Sequence, residues 1–281
     1  MRDRITYVSS CGGLCNRLRA LGACLTVAEY LGLDRTQLIW FPNHSCHAEF
    51  EDLFVSRPNK WQPEISFHYG PSAQWDWHLS EDYYSGLVVN SIGTSNQVFR
   101  QLKKYYKFEL EDREFHRLYC EVIRKQFVPL IHIREKMWEF KDKYNLSERV
   151  GVQIRDSSDH WIMRFGDDDY EAERKERNDN FKKIIKDSDG LFLSTDSKHV
   201  AEDLSNTENI VTFPKEWTTD GANWVEEYRM DKYNHVRFTS IEDAVIDLFL
   251  LSECKELVTS GGSSFGDMAA ALGGIKNVAL S

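Results

Sequence analysis

SIEDAVIDLFLLSECKELVTSGGSSF, residues Ser240 to Phe265, reads as a helix, a short strand and a Gly/Ser-rich turn that opens a second helix. Ser240 is a good N-cap, and Asp243 stands where the acidic partner of a capping box belongs. Ala244, Leu248 and Leu251 recur at helical spacing beside Val245 and Phe249, so one broad face is predicted to be buried. Glu256-Leu-Val-Thr259 is a strand-type run. In Ser260-Gly-Gly-Ser-Ser264 small side chains let backbone N–H groups approach an anion, and a helix from about Ser264 adds its positive end. A strand ending in such a turn binds phosphate in many α/β sheets; the alternative is a tight turn that binds nothing.

Upstream, Arg149-Val-Gly-Val-Gln-Ile-Arg155 has the apolar content of a buried strand and ends in charge, Arg155-Asp156-Ser-Ser-Asp159. Leu191-Phe-Leu-Ser-Thr-Asp196 repeats the pattern before a helix from about Ser197. A polar helix over 167–187 and strands over 209–213 and 276–280 complete the second half. Alternating strands and helices predict a parallel, doubly wound sheet. Polar groups then gather at three strand ends: Arg155 with Asp156, Ser194-Thr195-Asp196, and Ser260 to Ser264.

The chain has 281 residues, 41% hydrophobic and 13% aromatic. That suits two units of ~130–140 residues better than one. A formal charge of −10 argues against general nucleic-acid binding. No apolar run approaches the ~18 residues of a membrane span, and Met1-Arg-Asp-Arg4 leads straight into strand-like Ile5-Thr-Tyr-Val8, without a signal peptide's apolar core. Six scattered cysteines without a CxxC pair suggest reduced thiols and a cytoplasmic setting. No standard metal spacing occurs; His44-Ser-Cys46-His47 matches no zinc pattern, and Asp167-Asp-Asp169 reads as the solvated start of a helix.

The first half opens strand, turn, helix, strand: 5–8, Ser9 to Asn16, a helix from an Asn16 N-cap to Leu31, then 37–41. The turn carries neither GxGxxG nor a P-loop. Arg17 sits where a helix N-terminus disfavours a cation, so it either serves a ligand or is simply exposed. The aromatic stretch 42–95, with Trp61, Trp75, Trp77, Tyr83 and Tyr84, is either loop-rich core or a stacking platform for an acceptor sugar. Charged helices over 96–108 and 112–143 form a bridge, and the boundary is expected near 145, giving domains 1–145 and 146–281.

Four segments in this order resemble the fucosyltransferase superfamily of GT-B fold, which includes the nodulation fucosyltransferase, the core α1,6-fucosyltransferases and the protein O-fucosyltransferases. They are Gly12-Gly-Leu-Cys-Asn-Arg-Leu18; Gly151-Val-Gln-Ile-Arg155 with Asp159; Phe192-Leu-Ser-Thr-Asp196; and Ala244 to Ser252 running into Ser263-Ser-Phe265. The resemblance implies two Rossmann-like doubly wound domains facing a cleft. It implies inverting, metal-independent transfer from GDP-fucose to a glycan or glycosylated acceptor, with no cofactor. By the same resemblance Arg155 grips the diphosphate, Asp247 reads guanine, Ser263 meets the phosphates and Asp196 lies near the donor, Arg155 and Asp196 being the catalytic pair. Gly13, Asn16, Arg17, Gln153, Ser264 and Phe265 complete the donor-binding set. Gln153 stands where the family has histidine, so that contact carries no charge at neutral pH. Apart from the resemblance, Asp247 reads as a helix carboxylate with a dipole role. The competing hypotheses are a catalytically silent nucleotide-sugar or glycan-binding module, and a transferase using another GDP-sugar. A Rossmann oxidoreductase is disfavoured by the missing GxGxxG.

Overall fold

The computed structural model describes residues 4–9, 12–33, 35–40, 42, 46–55, 78–80, 87–90, 93–155, 180–181, 183–185, 188–205, 207, 209–217 and 239–280. The aromatic candidates between 61 and 84, together with Asp156, Asp159 and most of the expected helix 167–187, lie outside them. The chain divides into two compact units, Met1–Leu130 and Ile131–Ser281.

In the first unit β1 (Arg4–Ser9) leads into α1 (Leu14–Tyr30), β2 (Arg35–Trp40), β3 (His78–Ser80), β4 (Leu87–Asn90), α2 (Ser95–Tyr106) and α3 (Asp112–Gln126). The sheet order is β2-β1-β4-β3. β1 runs parallel to β2 and β4, while β3 pairs antiparallel with β4 at the edge. The sequence gives no sign of that edge strand, because three residues with one apolar member are too short for a period to show. α1 starts three residues earlier than an Asn16 N-cap would place it, with Gly13 as a side-chain-free N-cap. Asn16 therefore lies inside the first turn, where its Oδ1 accepts from Arg19 Nη2 at 2.8 Å. α1 is buried from Leu14 to Ala28 apart from Asn16. Phe99 of α2 stacks on Phe115 of α3 at 4.0 Å.

The helix expected over 112–143 is two helices, α3 and α4 (Ile131–Tyr144). Pro129 is the reason: it lacks the N–H of the helical ladder and disfavours helix at Val128. The segment pairs with an upstream loop instead. Val55 N–H donates to Val128 O at 2.8 Å, and Leu130 N–H to Leu53 O at 3.0 Å. The first compact unit ends here, at Leu130.

The second unit adds β5 (Val150–Ile154), β6 (Leu191–Thr195), α5 (Lys198–Ser205), β7 (Ile210–Thr212), α6 (Ile241–Ser252), β8 (Glu256–Ser260), α7 (Ser264–Gly273) and β9 (Asn277–Leu280). All five strands are parallel, in the order β7-β6-β5-β8-β9. One face of the sheet packs Val150, Val152, Ile154, Leu191, Leu193 and Val258 against Phe181 and against Val200 and Leu204 of α5. The residues between them, Gly151, Gln153, Phe192, Ser194, Leu257 and Thr259, point to the other face. There Phe192 meets Phe140 of α4, ring centroids 5.7 Å apart. A Cβ on Gly151 would lie 2.9 Å from Leu251 of α6. Helices thus cover both faces, which explains why β5 and β6 are buried at every residue. α4 packs on α6, which is why it belongs to this unit.

Candidate functional site

β6, β5 and β8 are neighbours, so the three strand ends singled out by sequence meet along one edge. The chain builds from β5 outward to β6 and β7, then crosses over to β8 and β9 on the other side. The order reverses between β5 and β8. In open α/β sheets ligands bind outside the carboxyl ends of the strands at that point.

Gln153 of β5 pairs in register with Ser194 of β6 and Thr259 of β8, placing all three on one face. Gln153 is 6% exposed. Its Oε1 accepts from Ser263 Oγ at 2.9 Å, and the same Oγ accepts from Gly266 N–H at 3.2 Å, capping α7. One hydroxyl so ties the end of β5 to the start of α7. Gly262, at φ +72°, takes a backbone conformation that side chains disfavour. A Cβ on Gly266 would lie 2.5 Å from Thr259 Cγ2, so the first turn of α7 lies directly on β8. Ser264 and Phe265 open this helix, and both are half-buried. The first N–H groups of a helix lack intrahelical partners and carry its positive end, which suits an anion.

Arg155 follows β5 and is exposed. Its Nε lies 3.7 Å from Asp196 Oδ2, an ion pair rather than a hydrogen bond. A guanidinium fork of this kind can hold an oxyanion bidentately.

Asp247, on α6, is 3% exposed. Its Oδ2 accepts from Ser194 Oγ at 2.8 Å and from Lys215 Nζ at 2.5 Å. Lys215 Nζ also donates to Thr195 O at 2.7 Å. Asp247 Oδ1 has no hydrogen-bond partner among the described residues. Burial pushes the Asp247 carboxyl above its ordinary value, while Lys215 and Ser194 pull it down. Asp247 is therefore no surface dipole carboxylate; it is one half of a buried ion pair. Lys215 is absent from the residues singled out by sequence. Its signal is a fourth strand end, Phe213-Pro214-Lys215 after β7, bearing a charge at the same edge.

Gly13, Asn16 and Arg17 belong to the first unit. Arg17 is fully buried, which rules out the simply exposed arginine. Its Nε donates to Gly12 O at 2.8 Å, and its guanidinium lies 5.0 Å from the centre of the Trp40 ring. Among the described residues, no three or more His, Cys, Asp or Glu side chains are grouped to hold a metal, and no helix is long and apolar enough to cross a membrane.

No protein-family model matches the chain, and no curated protein sequence matches it. Its likeness is to solved structures. NodZ α-1,6-fucosyltransferase soaked with GDP-fucose superposes with a TM-score of 0.54 at 15% identity, covering 96% of this chain and 92% of that one. Selenomethionine fucosyltransferase NodZ from Bradyrhizobium gives 0.53 at the same identity and coverage. A mutant of Arabidopsis thaliana FUT1 in complex with GDP gives 0.54 at 15% identity, over 99% of this chain and 70% of that one. The fold is fucosyltransferase-like, as the four sequence segments implied.

Proposed function

We propose that this chain is an inverting, metal-independent fucosyltransferase of GT-B type that moves fucose from GDP-fucose to a glycan or glycosylated acceptor, in a cytoplasmic setting. The observation that carries this reading is the cluster at the β5–β8 reversal. An exposed guanidinium, a serine-capped helix N-terminus and a buried carboxylate with one oxygen unpartnered among the described residues lie along one strand edge. These are the groups a nucleoside diphosphate needs at its phosphates and base, in a fold whose neighbours include a structure soaked with GDP-fucose.

An acceptor hydroxyl attacks fucose C1 from the face opposite GDP and gives up its proton to solvent. The new C–O bond forms as the bond from C1 to the β-phosphate oxygen breaks, and negative charge grows on the departing diphosphate. Arg155 answers that charge with its terminal nitrogens, while Asp196 stands on the Nε side and leaves them free. Backbone N–H groups of Ser264 and Phe265 share the load, and Gln153 holds Ser263 in place. Asp247 takes the base. The donor site lies in the second unit. A silent binding module would share the nucleotide site and lack turnover.

Thermal unfolding with GDP and UDP tests the donor assignment. GDP at ~100-fold excess over its Kd should add ~2.7 kcal/mol of stability, and UDP should add little. Equal shifts with both nucleotides would remove the guanine assignment. Transfer should also persist in EDTA; loss restored by manganese would contradict the metal-free mechanism.

A further inference from the structure

We propose that Lys215 is a positioning residue for the transfer step, fixing the peptide that leads into Asp196 and so aiming the Asp196 carboxylate at Arg155. This rests on the transferase reading above and adds a residue that acts through Asp196 without touching substrate. The Lys215 side chain is 2% exposed. Its Nζ donates to Thr195 O at 2.7 Å and to Asp247 Oδ2, and the Trp217 ring centre lies 5.8 Å from it. A buried ammonium is tolerated where groups inside the fold take its N–H bonds, and here one of those groups is the main chain at the end of β6.

β6 pairs with β7 as far as Leu193 and Thr212. Past that point side chains hold the strand: Ser194 Oγ donates to Asp247 Oδ2 at 2.8 Å, and Lys215 takes Thr195 O. The peptide before Asp196 carries Thr195 O. The peptide after it carries Ser197 N–H, which donates to Thr195 Oγ1 at 3.1 Å. Both peptide planes that meet at the Asp196 Cα are therefore pinned. φ and ψ are the only soft backbone torsions of a residue, so fixing the two planes fixes the direction in which its side chain leaves. From there the Asp196 carboxylate reaches Arg155, Oδ2 lying 3.7 Å from Nε. The Thr195 pin is local to the turn. The Lys215 pin comes from 20 residues further along the chain and ties the turn to the end of β7. A buried ion pair adds little stability over an apolar pair of similar size, so the distinct contribution of Lys215 is this fixed geometry.

The test is kcat for fucose transfer at saturating GDP-fucose, with a mixture of oligosaccharides as acceptor, by wild type, Asp196→Asn, Lys215→Met and the double variant. Each single change should lower kcat by ~10-fold or more, since a slight misplacement of a group at the reacting centre is costly. In the Lys215→Met chain, Asp196→Asn should cost under ~2-fold, because the carboxylate there is already misaimed. A lysine that serves stability alone would leave the Asp196→Asn factor at its wild-type size, however much folded protein is lost, and that result would overturn the inference. Lys215→Gln, whose polar head is too short to span both acceptors, gives the same comparison if Lys215→Met does not fold. No transfer by wild type would sink the transferase reading itself, and the inference with it.

Discussion

Lys215 and Asp247 place two charges where water scarcely reaches, with side chains 2% and 5% exposed. Removing one partner leaves the other buried and uncompensated, at a cost of ~3–5 kcal/mol, whereas an exposed pair is worth under ~1. Lys215→Met should therefore lower stability by ~3–5 kcal/mol in urea unfolding, and adding Asp247→Leu should restore most of it. A loss below ~1 kcal/mol in the single variant would show a solvated pair. At Arg155 the fork decides. Arg155→Lys keeps a charge and some donor binding but should lose ~10²–10³-fold in kcat, because two aligned N–H groups matter most once leaving-group charge has developed. Arg155 is legible from its place at a strand end. Asp247 is legible only through family resemblance, and Lys215 is not, since their contact spans 32 residues and depends on which strands become neighbours.

Two contacts between elements set how firmly the site is held. α7 can rest on β8 because residue 266 has no Cβ; one would lie 2.5 Å from Thr259 Cγ2 and 2.7 Å from its Oγ1. Gly266→Ala should cost ~1–3 kcal/mol of overpacking and weaken GDP binding, and Thr259→Ala in the same chain should recover part of the stability. α4 and α6 are joined by Glu242, which meets Lys136 at 2.5 Å and His132 at 3.2 Å. Burial raises the Glu242 pKa, but Lys136 and His132 together outweigh it and hold it below the ordinary value of 4.5. The folded state then binds fewer protons than the unfolded one, so this contribution is full above that value and fades as pH falls through the folded pKa. Glu242→Gln should flatten the stability–pH curve below about 4.5; a curve matching wild type would show no linkage at this site. Helix positions are readable from apolar spacing and caps, as at Ser240, which accepts from Asp243 N–H at 2.9 Å. The break at Pro129 is masked because the charged pattern continues across it; the proline itself is the sign.

Over the whole molecule, the alternation of strands and helices is legible, and so is the gathering of polar residues at strand ends. The strand order is not. Periodicity says that β5 is a buried strand, and only the crossover from β7 back to β8 makes it central and puts Gln153 between Ser194 and Thr259. The antiparallel β3 is also illegible, being three residues long. What the topology delivers is one edge where polar strand ends gather, and the proposal is that GDP-fucose is consumed there. The most direct measurement is GDP released from GDP-fucose in the presence of a mixture of oligosaccharides, by wild type and by Arg155→Ala. The account predicts GDP release by wild type, with fucose appearing on an oligosaccharide, and almost none by the variant. No release by wild type, or equal release by Arg155→Ala, would contradict it.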